Sequence, residues 1–285
     1  MKIVFIGAVK FSESCLKKLI SIDSKIVGVC TLEKSSFNTD HVDLKKICDE
    51  NSIPAKYMND IHTKNNIEWI KSLDPDVIFC FGWSKILKKD ILNIPPLGVI
   101  GYHPAELPKN RGRHPIVWAL VLGLSETAST FFFMDENADS GDIISQSKVL
   151  IQKNDNAKSL YDKITDAAMR QLEIFVPKLA SCEINRTVQN HNNSNLWRKR
   201  NFNDGKIDWR MSSSSIYNLV RGLTKPYVGA HFEFLGNNIS VWEVEIIMNN
   251  KLNIEPGKVI MVTKKGPIIK TGDQSVLLKH IEPKV

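Results

Sequence analysis

The fold class of this chain is decided by an uninterrupted apolar run, Val-Ile-Phe-Cys-Phe at 77–81, which directly follows the turn signal Asp-Pro-Asp at 74–76. An apolar run without alternating polar residues is typical of a strand that is buried on both faces of a parallel sheet. Apolar residues at helical spacing at 67–73 predict a helix that leads into this strand. The segment therefore predicts a parallel sheet with helices packed on its faces.

The alternation of strands and helices extends in both directions from this run. Short apolar segments predict further strands at 2–7, 26–30, 98–101 and 130–134. Helical spacing of apolar residues predicts helices near 15–20, 42–50, 115–122 and 158–179. Strands that alternate with helices predict a Rossmann-like, doubly wound and mostly parallel α/β sheet.

The sequence changes character after Cys182. Residues 191–195, His-Asn-Asn-Ser-Asn, form a polar linker, and residues 228–285 consist mostly of short strand-like segments separated by Gly, Asn and Pro. We place a boundary between these two parts. The chain is predicted to have an N-terminal α/β domain at 1–190 and a small β-rich C-terminal domain at 200–285.

Composition limits the class of protein. The chain has 285 residues, of which 42% are hydrophobic and 24% charged, so it can bury a large core and is not disordered. No segment approaches the roughly 20 consecutive apolar residues that span a bilayer. The first residues run directly into a strand pattern without a signal-peptide cleavage site. We therefore expect a soluble, cytoplasmic protein without a membrane partner.

Cysteine spacing and net charge give weaker constraints. The five cysteines are scattered and include no Cys-x-x-Cys pair, which indicates neither a disulfide framework nor a metal site: Cys15, Cys30, Cys48, Cys80 and Cys182. The formal net charge of +7 suits a polyanion such as tRNA, but it also suits an enzyme with phosphorylated or anionic substrates. Residues 7–12 lack the Gly-x-Gly-x-x-Gly pattern of a dinucleotide-binding dehydrogenase.

The segment at 101–115 and the loop at 138–142 contain the candidate catalytic residues. His103 follows a predicted strand, and ligands of open parallel sheets bind beyond the carboxyl ends of the strands. Asp139 follows the next predicted strand, so we expect both residues at the same edge of the sheet. A carboxylate beside a histidine orients it for proton transfer near neutral pH, although most loop histidines are not catalytic. Asp142 is the closest alternative for the carboxylate.

These segments resemble the fingerprint of the formyltransferase family that includes glycinamide ribonucleotide, methionyl-tRNA and sugar N-formyltransferases. The family has Asn-x-His-(Pro/Ala/Gly)-x-x-Leu-Pro and, downstream, Leu/Ala-Asp-x-Gly. This chain has Gly-Tyr-His-Pro-Ala-Glu-Leu-Pro at 101–108 and Ala-Asp-Ser-Gly at 138–141. Residues 203–209 and 225–230 resemble the start of the second domain of the methionyl-tRNA and sugar enzymes, which the glycinamide ribonucleotide enzyme lacks.

The resemblance implies an OB-like second domain, 10-formyltetrahydrofolate as the formyl donor, and roles for individual residues. His103 would stabilise the tetrahedral intermediate and relay a proton to the leaving folate nitrogen, while Asp139 orients it. The donor site is assigned to Phe81, Gly82, Trp83, Ser84, Lys85, Ile86, Leu87 and Asp135. Acceptor binding is assigned to Tyr102, Lys109, Arg111, Arg113 and Arg200. From the residues alone, the aromatic rings are also compatible with the core and the cations with a solvated face.

One residue departs from the family pattern. Gly101 stands where the family has an Asn whose amide stabilises the oxyanion, and loss of such a donor costs about 3–4 kcal/mol of activation free energy. Backbone N–H groups, an ordered water, or a side chain such as Asn110 are the alternatives for replacing it.

The acceptor is predicted from the loop that follows the second strand. The methionyl-tRNA enzymes carry a long, basic, Gly-rich insertion there, whereas residues 32–42 of this chain are few and nearly neutral. This difference favours a small acceptor, and Gly-Arg-His-Pro at 112–115 together with the shortened second domain favours a nucleotide-linked amino sugar of surface-glycan biosynthesis. A homodimer is the candidate assembly. The alternatives are a methionyl-tRNA formyltransferase, with tRNA as its partner, and a non-catalytic folate- or nucleotide-binding regulator.

Overall fold

The computed structural model of the chain describes residues 1–35, 40–249 and 253–283. Its contacts group the chain into two units that interleave along the sequence. The first unit comprises Met1–Gly112, Ala128–Val149 and Lys163–Leu196. The second comprises Arg113–Thr127, Leu150–Asp162 and Trp197–Val285. The predicted domains at 1–190 and 200–285 stay a prediction from sequence.

A seven-stranded sheet organises the first unit. In chain order its strands are β1 (Ile3–Ile6), β2 (Ile26–Thr31), β3 (Ala55–Tyr57), β4 (Val77–Cys80), β5 (Val99–His103), β7 (Glu126–Phe133) and β8 (Ile143–Leu150). Their spatial order is β3-β2-β1-β4-β5-β7-β8, and β1 to β5 pair in parallel. A separate two-stranded sheet pairs β6 (Arg111–Gly112) with β9 (Leu196–Trp197). The predicted Rossmann-like, mostly parallel sheet is confirmed.

Helices connect these strands. They are α1 (Lys10–Ser21), α2 (Lys45–Glu50), α3 (Lys64–Ser72), α4 (Lys89–Leu92), α5 (Pro115–Val121) and α6 (Ala157–Ala180). The apolar residues of α1 that recur at helical spacing, including Cys15, Leu16 and Leu19, are fully buried. Burial of such a stripe against the sheet is the main source of stability for a helix of this length.

The central strand β4 is buried as its sequence predicts. All of its residues are at most 5% exposed, because β1 and β5 flank it on both sides. The turn from β1 into α1 is tied to the end of this strand, since Ser12 Oγ donates a hydrogen bond to the Phe81 carbonyl at 2.5 Å. A Cβ atom at Gly7 would lie 2.5 Å from the same carbonyl oxygen, so the close approach requires glycine there.

Strand β7 does not run in the direction expected from the sequence, which placed His103 and Asp139 at the same edge of the sheet. Strand β7 is antiparallel to β5, with His103 opposite Thr130 and Ile100 opposite Phe133. The loop that carries Asp139 therefore begins beside the amino-terminal end of β5, not at the carboxyl end where His103 lies. The expectation that both loops leave the same edge of the sheet was wrong, because it treated two sequential strands as parallel.

The second unit contains a five-stranded antiparallel sheet. Its strands are β10 (Ala230–Phe234), β11 (Asn237–Ile247), β12 (Val259–Thr263), β13 (Gly266–Lys270) and β14 (Ser275–Glu282), in the order β10-β11-β14-β13-β12. Helix α7 (Ser213–Leu223) packs on this sheet together with Val117 of α5. The predicted β-rich C-terminal part is confirmed. The sequence did not predict that α5 would share a core with it.

No helix in the described part of the chain combines the length and the apolar composition needed to cross a bilayer.

Thiol accessibility tests the burial of the cysteines. Burial raises the pKa of Cys48 and of Cys80 to about 12 and raises that of Cys15 and Cys30 as well, whereas Cys182 is exposed. Because the thiolate is the reactive form, we expect Ellman's reagent at pH 8 to modify Cys182 alone in the native protein and every cysteine after unfolding. Cys182→Ser should abolish the prompt native reaction. Rapid native modification of a second thiol would contradict the core described above.

Candidate active site

His103 is the last residue of β5 and is 4% exposed. Its Nε2 atom lies 2.7 Å from the carbonyl oxygen of Asn110. A carbonyl oxygen only accepts hydrogen bonds, so Nε2 carries a proton and donates it. The other ring nitrogen, Nδ1, lies 3.5 Å from Asp139 Oδ2. The imidazole is thus held between a fixed carbonyl on one side and a carboxylate on the other.

Asp139 is held in a left-handed backbone conformation, with φ of 56°. Aspartate tolerates this region better than most residues. Its Oδ2 atom accepts a hydrogen bond from the Gly112 N–H at 2.9 Å, and its carbonyl accepts one from Gln189 Nε2 at 3.0 Å. Asp139, rather than the alternative Asp142, is the carboxylate that lies beside His103.

The rest of the Asp-Ser-Gly loop is packed tightly. Ser140 is 7% exposed, and its hydroxyl donates to Asp135 Oδ1 at 2.6 Å. A Cβ atom at Gly141 would collide with the Phe133 carbonyl, which explains the glycine in this motif. Asp135 also accepts from the Asn137 N–H at 2.8 Å. The structure thus gives Asp135 a role within the loop, and its predicted donor contact stays a prediction.

The position of Gly101 has no room for a longer side chain. A Cβ atom there would lie 2.7 Å from Met134 Cγ and 3.0 Å from Phe132 Cζ. Nearby, Asn110 donates its backbone N–H to Asn195 Oδ1 at 2.8 Å while its carbonyl accepts from His103. Within the described chain, no hydrogen bond involves the Asn110 carboxamide. The side chain of Met134 thus occupies the space beside Gly101.

The predicted donor segment follows β4 and is anchored at both ends. Phe81 and Leu87 are at most 1% exposed, and the Phe81 ring contacts those of Phe5 and Phe79. Gly82 has φ of 72°, so the chain turns sharply directly after Phe81. These anchors hold the intervening residues in a defined loop.

The middle of this segment combines exposed and partly buried side chains. Ile86 is 74% exposed, whereas Trp83 packs against a buried apolar cluster of the first unit. The buried Nε1 of Trp83 has no hydrogen-bond partner among the described residues. Ser84 is exposed, and the exposed Lys85 donates through Nζ to the Asn59 carbonyl.

Two of the predicted acceptor-binding cations belong to the first unit. Lys109 is exposed, and its Nζ lies 4.0 Å from Glu106 Oε2. Arg111 donates through Nη2 to Gln189 Oε1 at 2.6 Å and to His191 Nδ1 at 3.1 Å. The Arg111 Nε atom is buried and has no partner in the part of the chain that the structure describes. Its guanidinium therefore retains a free donor.

Tyr102 is partly buried in the first unit and packs against aromatic rings. Its ring stacks on Phe11 with the centroids 4.1 Å apart, and its hydroxyl is 3.0 Å from Ser129 Oγ. Burial raises the pKa of Tyr102 well above its usual range. The predicted substrate contact of Tyr102 stays a prediction.

The other two predicted cations belong to the second unit. Arg200 is 8% exposed, its guanidinium carbon lies 4.6 Å from the Trp118 ring centroid, and Nη2 donates to the Asp204 carbonyl at 2.5 Å. The backbone N–H of Arg113 donates to the Trp197 carbonyl at 3.0 Å. Burial and the adjacent Arg113 charge lower the pKa of His114, so this ring is neutral at pH 7.

Sequence reasoning missed Gln189, which contacts both Arg111 and the Asp139 loop. It lies 50 positions beyond Asp139 and outside both motifs, so no local pattern points to it. The described residues include no group of three or more His, Cys, Asp or Glu side chains able to hold a metal ion.

Comparison with known proteins gives matches to both parts of the chain. Residues 1–175 match the family model described as "Formyl transferase", and residues 201–285 match "Formyl transferase, C-terminal domain". A methionyl-tRNA formyltransferase of Clostridioides difficile (strain 630) is 34% identical over 286 residues, which cover 99% of this chain and 92% of that protein.

Solved structures share the fold at low identity. The crystal structure of WlaRD, a sugar 3N-formyl transferase in the presence of dTDP and 5-N-formyl-THF, has a TM-score of 0.73 and 18% identity and is matched over 100% of this chain and 99% of that one. A HypX variant from Aquifex aeolicus has a TM-score of 0.68 and 16% identity. The match covers 100% of this chain and 45% of the HypX chain.

Packing around Gly101 generates a stability prediction. We expect Gly101→Asn to lower the free energy of unfolding by about 1–3 kcal/mol, because the new side chain must displace Met134 and Phe132. Combining it with Met134→Ala should cost less than the sum of the two single substitutions in urea unfolding. Gly236→Asn is the control, since nothing lies within 4 Å of a Cβ atom there and Asn tolerates its φ of 77°. Equal unfolding midpoints for Gly101→Asn and wild type would contradict this packing.

Proposed function

The chain belongs to the formyl transferase family, and from this membership we propose that it moves a formyl group from 10-formyltetrahydrofolate to the primary amine of a nucleotide-linked amino sugar. Formyl transfer from the folate donor is the activity of the family. The choice of acceptor, a role in surface-glycan biosynthesis, a cytoplasmic location and a homodimeric state are inferences.

The observation that carries the mechanism is the pair formed by His103 and Asp139. The acceptor amine must form a bond to the formyl carbon, the bond from that carbon to the folate nitrogen must break, and one proton must pass from the first nitrogen to the second. Nδ1 of His103 and Oδ2 of Asp139, 3.5 Å apart, can hold that proton between removal and delivery. The Gly112 N–H keeps the carboxylate directed at the ring.

We assign the donor site to the anchored segment after β4. The Trp83 N–H, which has no partner among the described residues, and the exposed Ile86 suit a reduced pterin, whose ring edge has hydrogen-bond acceptors and whose faces are partly apolar. The whole proposed donor set is Phe81, Gly82, Trp83, Ser84, Lys85, Ile86, Leu87 and Asp135.

We assign the anionic part of the acceptor to the basic residues after His103. Arg111 supports this assignment best, because Gln189 orients its guanidinium and its buried Nε has no hydrogen-bond partner among the described residues. A guanidinium matches the geometry of a phosphate better than a lysine ammonium does. The remaining members of the proposed set are Tyr102, Lys109, Arg113 and Arg200. The structural likeness to a sugar 3N-formyl transferase agrees with this acceptor class.

The strongest alternative is methionyl-tRNA formylation. The Clostridioides difficile relative favours it, since the two sequences align over nearly their whole lengths. The short, nearly neutral segment at 32–42 opposes it, because tRNA phosphates would need several added cations there. Residues 36–39 of that segment lie outside the described residues. A regulator that binds folate or a nucleotide without catalysis is the third candidate.

Removal of either member of the catalytic pair should abolish most activity. We expect His103→Ala and Asp139→Asn each to lower kcat by about 10²–10⁴-fold, measured as tetrahydrofolate release, because the proton then lacks a relay. Circular dichroism should show both variants folded. His280→Ala is the control, since His280 forms a comparable pair with Glu282 at 3.3 Å on the surface of the second unit. Wild-type rates in both site variants would show that the pair is not catalytic.

An acceptor panel tests the substrate. Wild-type protein with 10-formyltetrahydrofolate should turn over a nucleotide-linked amino sugar and not the charged initiator tRNA. Arg111→Ala should raise KM for the sugar nucleotide at least about tenfold, because a charge-assisted contact to phosphate is lost. Turnover with tRNA alone would replace the sugar assignment by the alternative. Absence of turnover with every acceptor would favour the regulator.

A further inference from the structure

Gln189 uses both ends of its side chain although it is only 3% exposed. Its Nε2 donates to the carbonyl oxygens of Asp139, at 3.0 Å, and Gly141, at 2.6 Å. Its Oε1 accepts from Arg111 Nη2 at 2.6 Å. A buried amide that is satisfied at both ends fixes the groups it joins, because breaking either contact leaves a buried polar atom unpaired.

These contacts form a closed ring of interactions. Arg111 reaches the Asp139 backbone through Gln189, and the next residue, Gly112, reaches the Asp139 carboxylate directly through its N–H at 2.9 Å. The segment at 111–112 is thus connected twice to the same aspartate, once through the carbonyl and once through the side chain. A shift of Arg111 would be transmitted to Asp139 by either route.

We infer that Gln189 is a positioning residue that holds Asp139 against His103 and couples its orientation to Arg111. This inference rests on the proposed function, since it gives Asp139 a catalytic role and Arg111 an acceptor-binding one. Asp139 has a left-handed backbone, which is uncommon for a residue other than glycine. The Gln189 amide donates to the carbonyls of Asp139 and Gly141 and so stabilises the loop in that conformation.

The coupling has a chemical consequence for the acceptor. Gln189 and His191 contact Nη2 of Arg111, and its buried Nε has no partner in the described part of the chain. A phosphate that binds this guanidinium is positioned, through Gln189, relative to the carboxylate that handles the amine proton. An acceptor with a phosphate at the right distance from its amine is thereby aligned with the catalytic pair, and misplacement by about 1 Å can cost about 100-fold in rate.

Two substitutions at Gln189 separate its two contacts. Gln189→Ala removes both and should lower kcat by about 10- to 100-fold while leaving KM for the formyl donor within about twofold of wild type. Gln189→Glu keeps an oxygen for Arg111 but cannot donate to the carbonyls of Asp139 and Gly141. Its kcat should fall at least as far as that of Gln189→Ala, whereas its KM for the acceptor should change less.

Gln171→Ala is the matched control. Gln171 is 5% exposed in the same unit, and its Nε2 donates to the Ser129 carbonyl at 3.2 Å and to Ser145 Oγ at 2.8 Å. Its loss should destabilise the protein comparably but leave kcat unchanged. The inference is overturned if both variants lose kcat in proportion to their loss of unfolding free energy. Gln189 would then have only a structural role. Wild-type kcat in Gln189→Ala would also overturn the inference.

Amide hydrogen exchange tests the inference independently of the acceptor. Gln189→Ala should accelerate exchange in the peptide that spans residues 134–142, and Gln171→Ala should not. Unchanged exchange there overturns the inference even if the protein turns over the proposed acceptors. Accelerated exchange in a protein that turns over none of them would retain Gln189 as the residue that holds this loop and would reject the proposed function instead.

Discussion

The contact between His103 and Asp139 is the constraint on which the rest of the site depends. His103 ends a parallel strand, whereas the loop of Asp139 begins beside the opposite end of that strand because β7 runs antiparallel to it. The chain must therefore turn back along β5 within a few residues. Four features stabilise this path of the loop: the left-handed backbone of Asp139, the tight packing at Gly141, and the hydrogen bonds from Gly112 and Gln189.

The same loop accounts for the departure at Gly101. Met134, the first residue after β7, fills the space that a side chain at 101 would need, so the absence of the family's asparagine and the path of the loop are parts of one packing arrangement. The imidazole is meanwhile oriented by a backbone carbonyl, which no substitution of a side chain removes. The residue that supplies this carbonyl is Asn110, whose carboxamide has no hydrogen bond to any of the described residues.

Cations that are adjacent in sequence have different environments in the structure. Arg111 belongs to the first unit and is held through Gln189, while Arg113, two residues later, belongs to the second. Arg200 is nearly buried against Trp118, so packing as well as charge determines its position. A basic cluster read from sequence therefore contains residues with a free donor, residues paired with a neighbour and residues in a core.

The sequence by itself determined the strand-helix alternation, the buried run at 77–81, the β-rich C-terminal part, and the histidine and aspartate that carry the family motif. These features can be predicted from sequence, because apolar periodicity and short motifs depend on residues that are close together in the chain. The tertiary structure alone decided the direction of β7, the aromatic packing of Tyr102, the packing of α5 with the second sheet, and the contacts of Gln189. Each of these depends on hydrogen bonds or burial between residues distant in the chain, and such contacts leave no periodic trace in the sequence.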